Sequence, residues 1–469
     1  MQTSALRFLR ALKSRDIESL ITRTEIKTVD IERYKVDWFG RTGQGEVVAF
    51  PGSVHELSSI FKFCSENRIG ITILGGNTGL VGASLSGKGE LIVSLEKLNK
   101  IVDIDDSSQH VTVEAGVILE DLQKALAVHG LITPHDLGAR GSCTIGGNVA
   151  TNAGGVNYIR YGPLRGHVIG LEGVLANGEI IDSMSQVWKD NSGVDVKQLF
   201  IGSEGALGVI SKVRLHCPRF SPFKTVALLH CAKPFSESVL QILDHAKQFL
   251  GETLSAFEFF DSEGASIVGP LPQGIASASN GFLILVEAAA GSDRVRYAMD
   301  SFLESLSKDD SVTGVVASDT EGMKKMWKYR EDIPVKMARL GPNLKYDVSV
   351  PLKNYYNLVD LVRFKFGNNP AVSKIAGYGH VGDGNLHLNV ALKTLDVDLS
   401  DSISDVVYAF VTDVGGSISA EHGIGRDKLS RLGSSKSGSC ISTMKKLKNL
   451  FDPHGILNPG RTIPTVKYS

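Results

Sequence analysis

The stretch Ile69-Gly70-Ile71-Thr72-Ile73-Leu74-Gly75-Gly76-Asn77-Thr78-Gly79-Leu80-Val81-Gly82 (residues 69–82) decides the fold class of this chain. Its first half is an apolar, β-branched run, the pattern of a short buried strand. Its second half is a glycine-rich turn. Upstream, residues 46–51 read as another strand. Ser53-Val54-His55-Glu56 then has the form of a helix capping box, followed by Leu57, Ile60, Phe61 and Cys64 at helical spacing. Strand, helix and strand make a β-α-β unit running into the glycine turn.

Two further glycine clusters lie outward from it. One is Gly141-Ser142-Cys143-Thr144-Ile145-Gly146-Gly147-Asn148 with Thr151-Asn152-Ala153-Gly154-Gly155; the other is Gly202-Ser203-Glu204-Gly205-Ala206-Leu207-Gly208. Glycine lets backbone N–H groups crowd round phosphate oxygens without a Cβ in the way, and Asn, Ser and Thr add neutral donors. No Gly-Lys-Ser/Thr follows any cluster, and Asn77 stands where the second glycine of a GxGxxG would fall. Singly, each cluster is equally a tight turn in a sheet protein. Three together point to a cradle for a dinucleotide.

Short strands continue at residues 90–95, 110–115, 170–175 and 209–215, up to a connector bracketed by Pro218 and Pro222. An α+β segment follows, with strands at 225–229, 281–288, 345–351 and 387–392 and helices at 236–250, 293–306 and 355–366. From about residue 401 the chain reads as helical, ending in Asn458-Pro459-Gly460.

At 469 residues the chain is long enough for two to three domains. Its net charge of −1 and lack of a basic tract give nucleic acid no electrostatic footing. Apolar runs such as Phe282-Leu283-Ile284-Leu285-Val286 are far short of the ~20 residues a membrane span needs. The five cysteines contain no CxxC pair, which argues for a reducing compartment and buried thiols rather than a disulfide framework. Arg7, Arg10, Lys13 and Arg15 precede the first acid, Asp16, with Leu6, Phe8, Leu9 and Leu12 among them. Residues 1–25 therefore read as a mitochondrial targeting segment, with a plain surface helix as the alternative.

Near the C-terminus, Gly379-His380-Val381-Gly382-Asp383-Gly384-Asn385-Leu386-His387-Leu388-Asn389 and Ser419-Ala420-Glu421-His422-Gly423-Ile424-Gly425 carry the chemistry. Two histidines and a carboxylate can close on one divalent metal, zinc or a similar ion, leaving His422 for proton transfer. His387 and Asn389 would share one side of a strand, with His380 delivered by the glycine-rich turn before it. Asp383 could ligate on spacing alone, though Gly382-Asp383-Gly384-Asn385 also has the composition of a turn.

Gly75-Gly76-Asn77-Thr78-Gly79, Asp136-Leu137-Gly138-Ala139-Arg140-Gly141-Ser142, the run from Ile145 to Gly155 and Phe200-Ile201-Gly202-Ser203-Glu204-Gly205 resemble the FAD-binding domain of the vanillyl-alcohol-oxidase/p-cresol-methylhydroxylase superfamily. Within it, the chain is similar to the mitochondrial D-2-hydroxyglutarate dehydrogenase family, from about Asp37 to Pro464. The resemblance implies an α+β fold: a two-subdomain FAD-binding domain (26–220), an α+β substrate domain with an antiparallel sheet (221–400), and a small, mainly helical C-terminal region (401–469) closing on flavin and metal. It implies non-covalent FAD held by Gly75, Gly76, Asn77, Thr78, Gly79, Ser142, Gly146, Gly147, Asn148, Thr151, Asn152, Gly155, Gly205, Ile210 and Asn458.

The same resemblance places the metal ligands at His380, His387 and Glu421, substrate contacts at Arg330, Lys345, Asn389 and His422, and the general base at His422. Two cations would answer the two carboxylates of a hydroxydicarboxylic acid. The family carries a threonine four residues after the arginine; this chain has Pro334, without that hydroxyl or an N–H. The implied reaction is oxidation of D-2-hydroxyglutarate to 2-oxoglutarate by hydride transfer from C2 to flavin. Electron-transferring flavoprotein is the implied acceptor, the mitochondrial matrix the implied compartment, and a homodimer one expected assembly. Two alternatives are a D-lactate or glycolate dehydrogenase, in which Arg330 alone holds a monocarboxylate, and a metallohydrolase whose glycines are only structural. A non-catalytic binding protein would have no use for His422 beside a metal carboxylate.

Overall fold

The computed structural model describes Phe8, residues 24–275 and residues 280–464. The expected targeting segment lies outside the described residues except for Phe8, Thr24 and Glu25. Two compact units divide the chain out of sequence order. The first comprises Met1–Gly154, Pro163–Arg219 and Glu421–Ser469; the second comprises Gly155–Gly162 and Phe220–Ala420.

In the first unit, Val47–Phe50, Leu91–Ser94 and Ile71–Leu74 pair in parallel, with Glu25–Lys27 antiparallel at one edge. The capping box forms as its sequence dictates. Ser53 Oγ accepts from Glu56 N–H at 3.2 Å, and the Glu56 carboxylate takes Gly52 N–H at 2.7 Å, so the helix Val54–Glu66 starts there. Its Leu57, Ile60, Phe61 and Cys64 are fully buried against the sheet. At about 1.5–3 kcal/mol for each large apolar side chain, that stripe outweighs the helix's modest propensity. A second, antiparallel sheet in this unit runs in the order Ile101–Asp105, His110–Glu114, Val209–His216, Val168–Val174, Ile180–Ser183.

The second unit is built on a seven-stranded, wholly antiparallel sheet. Its order is Val312–Ala317, Phe223–Cys231, Phe282–Ala290, Leu254–Asp261, Val372–His380, Asn385–Leu392, Asn343–Ser349. The helices Ser262–Val268 and Thr320–Ala338 pack Ala265, Val268, Met326, Ile333 and Met337 onto Phe260, Ala376, Tyr378 and Ala391 of one face. Among the described residues, no helix is long and apolar enough to cross a membrane. All five cysteines are free, four of them buried. The expected α+β fold with an antiparallel second sheet is what the chain adopts.

Candidate functional site

In the first unit, the glycine clusters meet because their side chains are missing. A Cβ on Gly76 would lie 2.0 Å from the Ser142 carbonyl oxygen, so only glycine lets the 75–79 turn seat against the second cluster. Asn77, Asn152, Glu204 and Asn458 all take left-handed backbone conformations, with φ between 42° and 54°; asparagine tolerates this better than most residues. The polar side chains mostly turn into the protein. Asn77 Nδ2 donates to Val36 O (2.7 Å), Asn148 Nδ2 lies 3.1 Å from His135 Nε2, Asn152 Oδ1 accepts from Arg165 N–H, and Thr151 Oγ1 donates to Gly147 O. Asn458 joins a strand to a loop, accepting from Ile73 N–H (3.0 Å) and donating to Glu204 O (2.8 Å). Ile210 is buried in its strand and Gly205 sits against Asn458, while Ser142 is exposed at the rim.

What this leaves over is backbone. The N–H groups of residues 76–80 make no hydrogen bond to the described residues, and Asn77 Oδ1 and Ser203 Oγ are buried without a partner. Consecutive amide donors in a glycine turn, with orphaned neutral polar atoms nearby, fit a large phosphorylated cofactor.

The loop Glu421–Gly425 belongs to this unit and rests on two of the clusters. The Glu204 carboxylate accepts from Ile424 N–H (2.7 Å) and Gly425 N–H (2.8 Å), although burial pushes its pKa upward. A Cβ on Gly154 would lie 2.7 Å from Glu421 Oε2. Glu421 Oε1 and His422 Nε2 are 3.6 Å apart.

In the second unit, His380 ends the strand Val372–His380 and so precedes the turn; the expectation that the turn itself delivers it is corrected by this hairpin. Register sets His380 opposite Asn385, Tyr378 opposite His387, Asp347 opposite His387, and Lys345 opposite Asn389. Directly opposed residues share a face, so His380, His387, Asn389, Lys345 and Asp347 all project to one side. The His380 and His387 ring centroids are 5.1 Å apart, edge to face, and both residues are buried. His387 Nδ1 lies 3.7 Å from Asp347 Oδ1, and Asp383 serves the turn, its Oδ1 accepting from Asn385 N–H. Two buried imidazoles on neighbouring strands suit a zinc-like ion.

Arg330 reaches this face from the helix Thr320–Ala338. Its Nε donates to Glu258 Oε2 (2.9 Å) and its guanidinium lies 4.7 Å from the centre of the Tyr378 ring; Nη1 and Nη2 make no hydrogen bond to the described residues. Burial lowers the pKa of the Lys345 ammonium, and Asn389 Nδ2 is buried without a partner of ordinary hydrogen-bond geometry. A buried amide left so is costly unless an acceptor answers it. Pro334 lies one turn beyond Arg330 and has no N–H to give the Arg330 carbonyl.

Sequence reasoning missed Glu258. Its Oε1 is 2.6 Å from His380 Nδ1, and it stands opposite His380 in register. Burial opposes its ionisation, yet His380 and Arg330 hold the carboxyl below its ordinary range. A lone acid inside Phe257-Glu258-Phe259-Phe260 was the available signal.

A family model described as an FAD binding domain matches residues 45–183, and one described as the C-terminal domain of FAD linked oxidases matches residues 223–462. The mitochondrial D-2-hydroxyglutarate dehydrogenase of Bos taurus is 41% identical, over 93% of this chain and 80% of its own length. The D-2-hydroxyglutarate–pyruvate transhydrogenase of Saccharomyces cerevisiae is 37% identical, over 92% of this chain and 90% of its own. A crystal structure of p-cresol methylhydroxylase with substrate bound matches with a TM-score of 0.77 at 15% identity, covering 98% of each chain, a likeness of fold alone.

Proposed function

We propose the chemistry of this chain from one premise: it belongs to the FAD-linked oxidases, and within them to the D-2-hydroxyglutarate dehydrogenase family. It is a flavin-dependent oxidoreductase that oxidises D-2-hydroxyglutarate at C2 to 2-oxoglutarate. The observation that carries this reading is the convergence of two buried histidines, a buried arginine, a desolvated lysine and an orphaned amide on one sheet face.

Bound flavin supplies the hydride acceptor, and a divalent ion, zinc or a similar metal, supplies Lewis acidity at the 2-hydroxyl. His380, His387 and Glu421 would hold the ion. FAD would be held non-covalently, its phosphates by the amides of residues 75–79, its ring by the later clusters and Asn458. Arg330 would grip one substrate carboxylate through Nη1 and Nη2, Lys345 the other, and Asn389 would orient the acid through Nδ2. His422 would accept the hydroxyl proton, work that suits an imidazole near neutral pH. Electron-transferring flavoprotein would reoxidise the flavin. The basic N-terminus and the compartment named for the bovine relative support a place in the mitochondrial matrix.

Pro334 favours one competing reading, D-lactate or glycolate as substrate, because the hydroxyl expected beside the distal carboxylate is absent. Steady-state turnover with an artificial electron acceptor separates the two. Lys345→Met should lower kcat/KM for D-2-hydroxyglutarate by about 100-fold and change D-lactate turnover by under about 3-fold. Equal losses would remove the dicarboxylate assignment.

A further inference from the structure

We propose that Glu258 is a positioning residue that fixes the metal-binding histidine and the substrate-binding arginine as one unit. The inference rests on the roles given above to His380 and Arg330, and goes beyond them.

Glu258 is 1% exposed, on the central strand Leu254–Asp261. Its two oxygens are divided between the two partners: Oε1 to His380 Nδ1 at 2.6 Å, Oε2 to Arg330 Nε at 2.9 Å. The 2.6 Å contact suits a carboxylate oxygen accepting from an Nδ1–H, the tautomer in which Nε2 would be the ring atom that ligates a metal. A carboxylate behind a metal histidine orients the ring and raises its basicity as a ligand. On the arginine, the bond to Nε fixes one edge of the planar guanidinium, with the Tyr378 ring centre 4.7 Å from its carbon, and Nη1 and Nη2 make no hydrogen bond to Glu258. Because the carboxylate is buried, losing either partner strands charge out of water. Metal site and carboxylate grip are therefore set by a single side chain.

Asp261, on the same strand but facing the other way, is the natural control. It is equally buried, but accepts from Gly264 N–H, Gly377 N–H, Tyr356 Oη and Arg363 Nη2, touching neither His380 nor Arg330.

The test compares zinc-loaded, FAD-bound wild type with Glu258→Gln, Glu258→Asp and Asp261→Asn. Zinc retained against graded dipicolinic acid is read by elemental analysis, and kcat and KM for D-2-hydroxyglutarate are taken separately. Glu258→Gln should hold zinc about 10- to 100-fold more weakly and raise KM, with FAD content unchanged. Glu258→Asp should recover part of the zinc affinity, and Asp261→Asn should lower Tm without altering zinc retention. Wild-type zinc affinity and KM in Glu258→Gln, or equal zinc loss in Asp261→Asn, would overturn the proposal. A wild-type protein that retains no zinc would instead overturn the metal reading beneath it. Should Glu258→Gln not fold, histidine-selective 15N NMR of wild type decides. The His380 signal, assigned by its loss in His380→Gln, should show an Nδ1–H; an Nε2–H tautomer refutes the inference.

Discussion

Around the glycine clusters of the first unit, Asn77, Asn148, Asn152 and Asn458 turn their side chains into the protein, and the N–H groups of residues 76–80 are left over among the described residues. On the sheet of the second unit, strand ladders consume the backbone, and the face presents the side chains of His380, His387, Lys345 and Asn389. A turn that offers its backbone needs glycine and left-handed asparagine; a strand that offers side chains needs polar residues at alternate positions on one face. Damage to the first region should therefore act through cofactor retention, and damage to the second through chemistry with the flavin still bound.

The largest expected effect tests that division at the loop Glu421–Gly425. His422 lies in the first unit but would act through its side chain, as the sheet residues do. His422→Asn should therefore lower kcat by about 100- to 10,000-fold while the visible flavin spectrum stays intact; loss of FAD in this variant would place it with the cofactor cradle and break the comparison. Acid probes the first region through its buried histidines. Burial, with His167 adding, depresses the pKa of His135 from 6.5 to about 4. Below 6.5 the unfolded chain takes up a proton that the folded chain refuses, so stability is flat above that pH and falls as pH drops towards 4. The full cost is about 3 kcal/mol. Urea midpoints across pH 4–8 should show this slope. His135→Gln should reduce it without abolishing it, because burial depresses His216 to about 4 as well.

Gly76→Ala drives a Cβ into the Ser142 carbonyl. A strain of about 2–3 kcal/mol should weaken FAD retention roughly 30- to 150-fold, while zinc retention stays unchanged. Asn458→Ala takes the acceptor from Ile73 N–H and the donor from Glu204 O. A loss of about 2 kcal/mol is expected, read as a lower urea midpoint before any change in kcat.

The first region was legible because its signals are local: Ser53–Glu56 sets a helix start, and glycine and asparagine runs mark the turns. The histidines were legible for the same reason, as a short motif on one hairpin. Long-range pairing hid the rest. Glu258 finds its partners 72 and 122 residues away, and in sequence it is one acid among phenylalanines. Gly377 and Gly379 obscured the strand Val372–His380, and Pro334 obscured the helix Thr320–Ala338, which Asp319 caps by accepting from Gly322 N–H. Phe257 and Phe259 were readable as core; that Glu258 between them faces the site depends on the register with His380, which no local pattern encodes.

The most direct test of the central claim is the visible absorption spectrum of the purified, zinc-loaded protein, recorded without oxygen before and after adding D-2-hydroxyglutarate. A flavin band that bleaches on addition is expected, because hydride from C2 of the acid then reduces the flavin. A flavin band that persists unchanged in protein shown to hold metal would contradict the claim.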